Sequence, residues 1–160
     1  MDADYLKTLG HLGVTARIKR LSDTLFYSIR ELYRQLGVDM EPSWHLVFLI
    51  LKQEGKVTMQ ELSNQLHLSK PAVTKMIKKM ADLDYVLIGA DKSDSRKKMV
   101  ELSAKAHRMM PKFEKIWSAG QSGVRELLET NPHFMTALDD IEKQLEQMSF
   151  CDRAIQKLDK

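Results

Sequence analysis

A chain of 160 residues, 43% hydrophobic and 29% charged, has the length and composition of one globular domain. It holds no apolar run of about eighteen residues and no basic-then-apolar leader, so neither a membrane-spanning helix nor a secretory signal is expected, and the expected location is cytoplasmic. The single Cys151 excludes an internal disulfide and a multi-cysteine zinc site. The net charge of +3 is unevenly spread. Residues 1–68 balance 8 basic against 8 acidic side chains, residues 69–108 carry 10 against 5, and residues 109–160 carry 7 against 9. A local excess of this kind suits a phosphate-binding surface.

In chain order, residues 1–10 read as a loose arm or partial helix. Val14, Ile18, Leu21, Leu25, Ile29, Leu32 and Leu36 then repeat at threes and fours, which predicts a helix with one apolar face that Gly37 stops. A helix of this reach, about 34 Å, is long for a small domain. Pro42 starts a second helix through Trp44, Leu46, Val47, Leu49, Ile50 and Leu51. It is apolar on several faces, hence expected to be deeply buried, and Gly55 ends it. Lys56, Val57 and Thr58 add a very short strand. Thr58 and Glu61 match a capping box for a helix over about 59–66, with Leu62 and Leu66 turned inward. His67, Leu68 and Ser69 form a three-residue connection of the length used in a helix-turn-helix.

Ser69 caps the next helix, and Pro71 in its first turn removes an amide hydrogen that has no intrahelical partner. At about 100° per residue, Ala72, Val73, Met76, Ile77, Met80 and Leu83 fall on one arc. Lys70, Thr74, Lys75 and Lys78 fall opposite, with Lys79 on the flank. A helix that buries one face and offers lysines on the other suits a polyanion. Tyr85–Ala90 is then β-prone, residues 91–98 form a charged tip, and Met99–Leu102 alternates again before Ser103, a cap for the following helix. Helix-turn-helix plus hairpin is a winged helix. Its second helix enters the major groove while the hairpin reaches for the backbone or minor groove. Two packed helices with a solvated basic face are the plainer alternative.

Ala104–Glu129 reads as one long helix in which Pro111, unable to donate to the carbonyl four residues back, predicts a kink or break near His107. Asn131 and Pro132 cap and open a final helix, along which Phe134, Leu138, Ile141, Leu145 and Met148 repeat. A monomer lacks the surface to cover all these stripes, so the first and last helices are expected to form a homodimer interface, with packing inside one chain as the alternative.

Three stretches carry a family resemblance: Ser-Lys-Pro-Ala-Val-Thr-Lys from Ser69, Asp91 and Asp94 ahead of Arg96 in the wing, and Leu102-Ser-x-Lys-Ala106 beyond it. Together they resemble the MarR family of bacterial transcription regulators. The opening Gly10–Ser22, with Glu41-Pro-x-Trp44, is similar to a branch often fused to a GNAT-type acetyltransferase, and no such fused enzyme is expected within these 160 residues. The resemblance implies a mainly α fold with a small β-hairpin wing, as one domain over residues 1–160. The winged helix-turn-helix would span about 42–103, with dimerisation helices at about 8–37 and 104–158. It further implies a sequence-specific regulator of transcription, expected to be a repressor, that binds a pseudo-palindromic operator in double-stranded DNA as a homodimer. Ser69, Lys70, Ala72 and Lys79 would stand with the base-reading Thr74, Lys75 and Lys78, Lys70 being better placed for phosphate. Arg96, flanked by Lys97 and Lys98, would lie in or near the minor groove; Asp94 or Asp91 is close enough in sequence to aim it, and simple stabilisation of the hairpin is the plainer alternative.

The resemblance also places a site for small aromatic acids between the dimer helices and the winged domain. Arg17, Trp44, His45 and Trp117 are the candidates to line it, although buried tryptophans are usually only core. No Gly-x-x-x-x-Gly-Lys, His-Glu-x-x-His or Gly-x-Ser-x-Gly occurs, so neither catalysis nor a cofactor is expected. Glu41, His45 and His107 would meet only if the second and fifth helices pack together, and ordinary surface positions explain them better than a metal. Relatives that sense peroxide use a cysteine on the first helix, where this chain has none. The alternatives to a regulator are a non-catalytic protein-interaction module and the detached regulatory half of an acetyltransferase system.

Overall fold

The apolar repeats of the sequence take their places in a computed structural model that describes residues 4–90 and 97–158. The fold divides into two compact units, one ending at Glu114 and the other beginning at Lys115.

The first unit opens with the short helix α1 (Tyr5–Thr8), whose Leu6 amide donates to Asp4 Oδ1 at 3.2 Å. A 3-10 turn over Gly10–Gly13 follows. A side chain at Gly13 would place its Cβ 2.3 Å from the Leu6 carbonyl oxygen, so only glycine lets the arm fold back this closely. Arg20 then holds Asp4 at 2.7 Å. α2 (Val14–Gln35) ends where expected: Gly37 takes φ +60°, Val38 N donates to Tyr33 O at 2.8 Å and Gly37 N to Arg34 O at 3.2 Å.

α3 runs from Trp44 to Glu54, two residues later than Pro42 suggested, because Glu41–Trp44 first closes a turn in which Trp44 N donates to Glu41 O at 3.0 Å. Trp44, Val47, Phe48 and Leu51 stand at helical spacing and are all buried. The expectation that α3 is buried on several faces is corrected: Leu46 and Leu49 point away from that stripe and are 44% and 45% exposed. Then come β1 (Lys56–Thr58), α4 (Met59–Leu66), α5 (Lys70–Asp82), β2 (Val86–Ala90) and β3 (Lys98–Leu102). The sheet is antiparallel in the order β1-β3-β2, with Val57 and Ile88 both registered on Val100.

α6 (Ala104–Leu128) continues through Pro111, so the expected break does not occur. The carbonyl that loses its donor belongs to His107, on the exposed side, where water can serve it, while Ala106, Met110 and Phe113 hold the opposite side in the core. Phe48 meets Phe113 and Tyr85 edge-on at centroid distances of 5.2 and 5.5 Å. Lys112 Nζ donates to the Leu36 carbonyl at 2.9 Å, and Lys52 pairs with Glu114.

The second unit holds the rest of α6, α7 (Phe134–Gln147) and α8 (Phe150–Leu158). The single final helix expected from the sequence is therefore two. Met148 is extended at φ −154° and ψ 125°, and Ser149 restarts the helix by accepting from Asp152 N at 3.1 Å. Arg153 bridges the joint with a 2.6 Å bond to Gln144 O. Asn131 is not the cap. The cap position of α7 is His133, and the Asn131 carbonyl accepts from Phe134 N at 3.0 Å in the preceding turn. Ile18 and Leu21 on α2, and Met135 and Ile141 on α7, are all more than half exposed. Among the described residues, no helix is long and apolar enough to cross a membrane.

Phe48 is fully buried in this core, so Phe48→Ala is expected to lower unfolding stability by about 3–5 kcal/mol in urea titrations. Gln53→Ala, on the exposed side of the same helix, should change it by less than about 0.5 kcal/mol.

Candidate nucleic-acid interface

The helix-turn-helix is built from local hydrogen bonds at each of its joints. Glu61 N donates to Thr58 Oγ1 at 3.1 Å, and Thr58 N donates to Glu61 Oε2 at 2.6 Å, completing the capping box. The bonds from the Thr58 backbone and hydroxyl hold the Glu61 carboxyl below its ordinary range, with a smaller contribution from the charge of Lys97 in the wing. At the other end of α4, His67 takes the left-handed conformation, φ 51°. Leu68 N donates to Ser63 O at 3.1 Å, and the buried Ser63 hydroxyl donates to Leu68 O at 2.6 Å. The turn is thus closed by both ends of the same serine. Ser69 then caps α5, its Oγ accepting from Ala72 N at 3.4 Å.

Val73, Ile77 and Met80 anchor α5 with no exposed surface at all. Met76 and Leu83, expected on the same arc, are half-buried, whereas Ala72 is exposed. Ser69, Lys70, Thr74, Lys75, Lys78 and Lys79 are all exposed. Among the described residues, none of these four lysines has a carboxylate within 4.0 Å. Lys97 and Lys98 are exposed at the base of the wing, where Lys98 pairs with Ala90 across the hairpin. Asp94 and Arg96, with Asp91, lie outside the described residues.

Of the candidate ligand residues, Trp44 and Arg17 line different surfaces. Trp44 lines a cleft of about 460 Å³ together with Arg30, Arg34, Met40, Lys79 and Leu83. Lys79 therefore turns toward this cleft as well as toward solvent. Arg17 instead lines a groove on the surface of α2 with Val14, Ile18 and Leu21, about 20 Å along the helix from Arg30. His45 is half-buried and its Nδ1 lies 2.7 Å from the Pro42 carbonyl. Trp117 belongs to the second unit. Arg30 and Arg34 were not singled out from the sequence, although their spacing of four on one helix, away from its apolar stripe, is a readable signal. Glu41 is engaged by Arg30 at 3.0 Å.

A capped helix-turn-helix, a three-stranded wing and an exposed basic second helix define the class, a winged helix-turn-helix protein. Residues 38–97, which hold the winged helix-turn-helix, match the model of the MarR family. Among solved structures, the fold is similar to overoxidized AbfR bound to DNA, with a TM-score of 0.66 at 20% identity over 92% of this chain and 99% of that one. It is similar to a cysteine-to-serine mutant of MarR from E. coli complexed with operator DNA, with a TM-score of 0.68 at 18% identity over 89% and 99%. NadR in complex with 4-hydroxyphenylacetate shares the fold at a TM-score of 0.58 and 17% identity over 92% and 99%. No protein of curated function matches the chain in sequence.

Thr58→Ala is expected to cost about 1 kcal/mol at neutral pH by opening the capping box. Because folding lowers the Glu61 pKa from its ordinary 4.5, the carboxylate's contribution is complete above that value and is lost as the pH falls through the lowered one. The stability gap between wild type and Thr58→Ala should therefore narrow when thermal melts at pH 7 are repeated near pH 3.

Proposed function

We propose that this protein is a sequence-specific DNA-binding transcription regulator that acts as a homodimer on a pseudo-palindromic operator. The observation that carries the reading is α5, fully buried along Val73, Ile77 and Met80 and lined on its outer side by lysines that, among the described residues, have no carboxylate within 4.0 Å. A helix so held presents its side chains rigidly, as base reading requires, and its unneutralised charge attracts phosphate. In this arrangement Thr74, Lys75 and Lys78 face base edges, while Ser69 and Lys70 at the helix start, with Lys97 and Lys98 in the wing, face the backbone. The DNA-bound AbfR and MarR structures, which share the fold, support the same docking.

The homodimer rests on the exposed apolar stripes of α2 and α7, which one chain leaves open to water. It divides the chain into dimerisation helices at about 8–37 and 104–158 and a winged helix-turn-helix at about 42–103. A DNA partner gives the protein a cytoplasmic place of work, and no enzymatic step enters this reading. A second element is supported by the cleft at Trp44. Its aromatic wall beside Arg30, Arg34 and Lys79 suits a small aromatic acid, and the NadR structure with 4-hydroxyphenylacetate gives a precedent in the same fold.

The test is a comparison of two lysines on a duplex selected by the wild-type protein from a random-sequence pool. Lys75→Ala should relax preference at one base position and cost about 1–3 kcal/mol there. Lys70→Ala should weaken binding to every single-base variant alike. Identical profiles for the two substitutions across that panel would mean that α5 is not docked in the major groove.

A further inference from the structure

α5 leads into the wing through a joint of three residues, Leu83, Asp84 and Tyr85, and the start of α6 holds all three of their carbonyls. The helix closes on itself first: Tyr85 N donates to Met80 O at 2.8 Å and Asp84 N to Ala81 O at 2.9 Å, with Asp84 in the left-handed conformation, φ 57°. That closure leaves the carbonyls of the joint itself without helical donors. Lys105 Nζ donates to Leu83 O at 2.6 Å, Ser103 Oγ to Asp84 O at 2.5 Å, and Ser103 N to Tyr85 O at 3.0 Å. Ser103 is 2% exposed, and its hydroxyl also accepts from Ala106 N at 3.1 Å, so one serine both caps α6 and ties down the joint. The Lys105 ammonium also stands 4.3 Å from the centre of the Tyr85 ring. A cation at the carbonyl end of a helix is favoured by the helix dipole as well as by the bond it donates.

Neither residue lies on the exposed face of α5. Resting on the DNA-binding role proposed above, we infer that Lys105 is a positioning residue for operator recognition: its ammonium fixes the angle at which α5 leaves the joint, so that the helix and the wing engage one duplex together. The two DNA-facing elements diverge from three residues, so a small rotation there displaces the lysines at the far end of α5 and the tip of the hairpin in different directions. Asp84, which as an aspartate enters the left-handed region more readily than most non-glycine residues, turns the chain there, and the orientation of the joint is set by what holds its carbonyls. Ser103 and Lys105 supply the constraint. Through α6, which runs on to Leu128, they also tie the DNA-facing elements to the helix that leads into the second unit.

The competing explanation is that Lys105 adds one positive charge to the field around DNA. The two roles separate by their dependence on sequence and salt. Lost charge weakens every duplex equally and flattens the dependence of log affinity on log salt by about one unit. Lost positioning weakens the selected duplex and leaves non-specific binding and the salt slope where they were. The experiment uses the full chain, the duplex selected by the wild-type protein from a random pool, and poly(dI-dC) as the non-specific duplex.

Lys105→Met keeps the stem over the Tyr85 ring and removes the donor. It is expected to lose about tenfold in affinity for the selected duplex, with poly(dI-dC) affinity and salt slope unchanged. Lys105→Arg, which retains a cation and a donor, should recover most of that loss. Lys105→Leu, neutral and without a donor, is the second neutral variant and should lose specific affinity in the same way should the methionine variant fold poorly. Wild-type affinity of either neutral variant for the selected duplex overturns the inference, as does an equal loss on both duplexes with a flattened slope. A wild-type protein that selects no duplex overturns the DNA-binding reading itself and this inference with it.

Discussion

Tyr85 stands where α3, α6 and the wing meet, with its ring edge-on to Trp44, Phe48 and Phe113 at centroid distances of 6.3, 5.5 and 5.8 Å. Each such pair contributes about 0.5–1.5 kcal/mol beyond the area it buries. Burial, and to a smaller degree the charge of Asp39, holds the tyrosine hydroxyl above its ordinary pKa, so the ring is neutral wherever the protein is folded at ordinary pH. The same residue ends the closure of α5 and precedes the first residue of β2. Its backbone therefore carries α5 and the hairpin while its side chain is clamped in the core. The placement of lysines on the surface thus depends on an aromatic cluster packed in the core.

The surface shows a contrast in how charge is handled. Lys19 pairs with Asp23, Arg20 with Asp4, Arg34 with Glu31, and Lys56 with Glu101. Exposed pairs of this kind add little stability, on the order of 0–1 kcal/mol each. Their effect is to cancel fields. On α5, among the described residues, that cancellation is missing, and Lys70, Lys75, Lys78 and Lys79 repel one another across a few turns of helix. The repulsion is small enough for a core of fully buried Val73, Ile77 and Met80 to hold the helix. A polyanion relieves it, and salt screens both the repulsion and the attraction over about 8–10 Å.

Much of this was legible in the sequence because it is written in local chemistry. The Thr58–Glu61 capping box, the Ser69 cap, the Pro71 first turn and the period of the α5 core residues each specify a structure within four residues, and each is present. The three-residue strand Lys56–Thr58 was readable for the same reason, as a β-branched residue between a helix stop and a cap. Features that depend on distant partners were not. Leu46 and Leu49 look like core in a run of apolar residues, and only the placement of α4 and the sheet on the other side of α3 decides that they face out. Pro111 was weighed by its missing amide alone, whereas the packing of Ala106, Met110 and Phe113 outweighs one lost bond. The break at Met148 hides in an unbroken apolar period, and its signal is Ser149 three residues before Asp152. Arg30 and Arg34, which line the cleft at Trp44, lie off the apolar stripe that dominates the sequence pattern of α2.

Hydroxyl-radical footprinting on a duplex selected by the 160-residue chain tests the central claim most directly. Two winged helices docked as a symmetric pair predict protection at two sites on one face of the duplex, centred one helical turn or a small multiple of it apart, about 10 base pairs per turn, with an inverted repeat beneath them. A single protected site without sequence symmetry, or uniform protection that follows no sequence and disappears with modest salt, would contradict it.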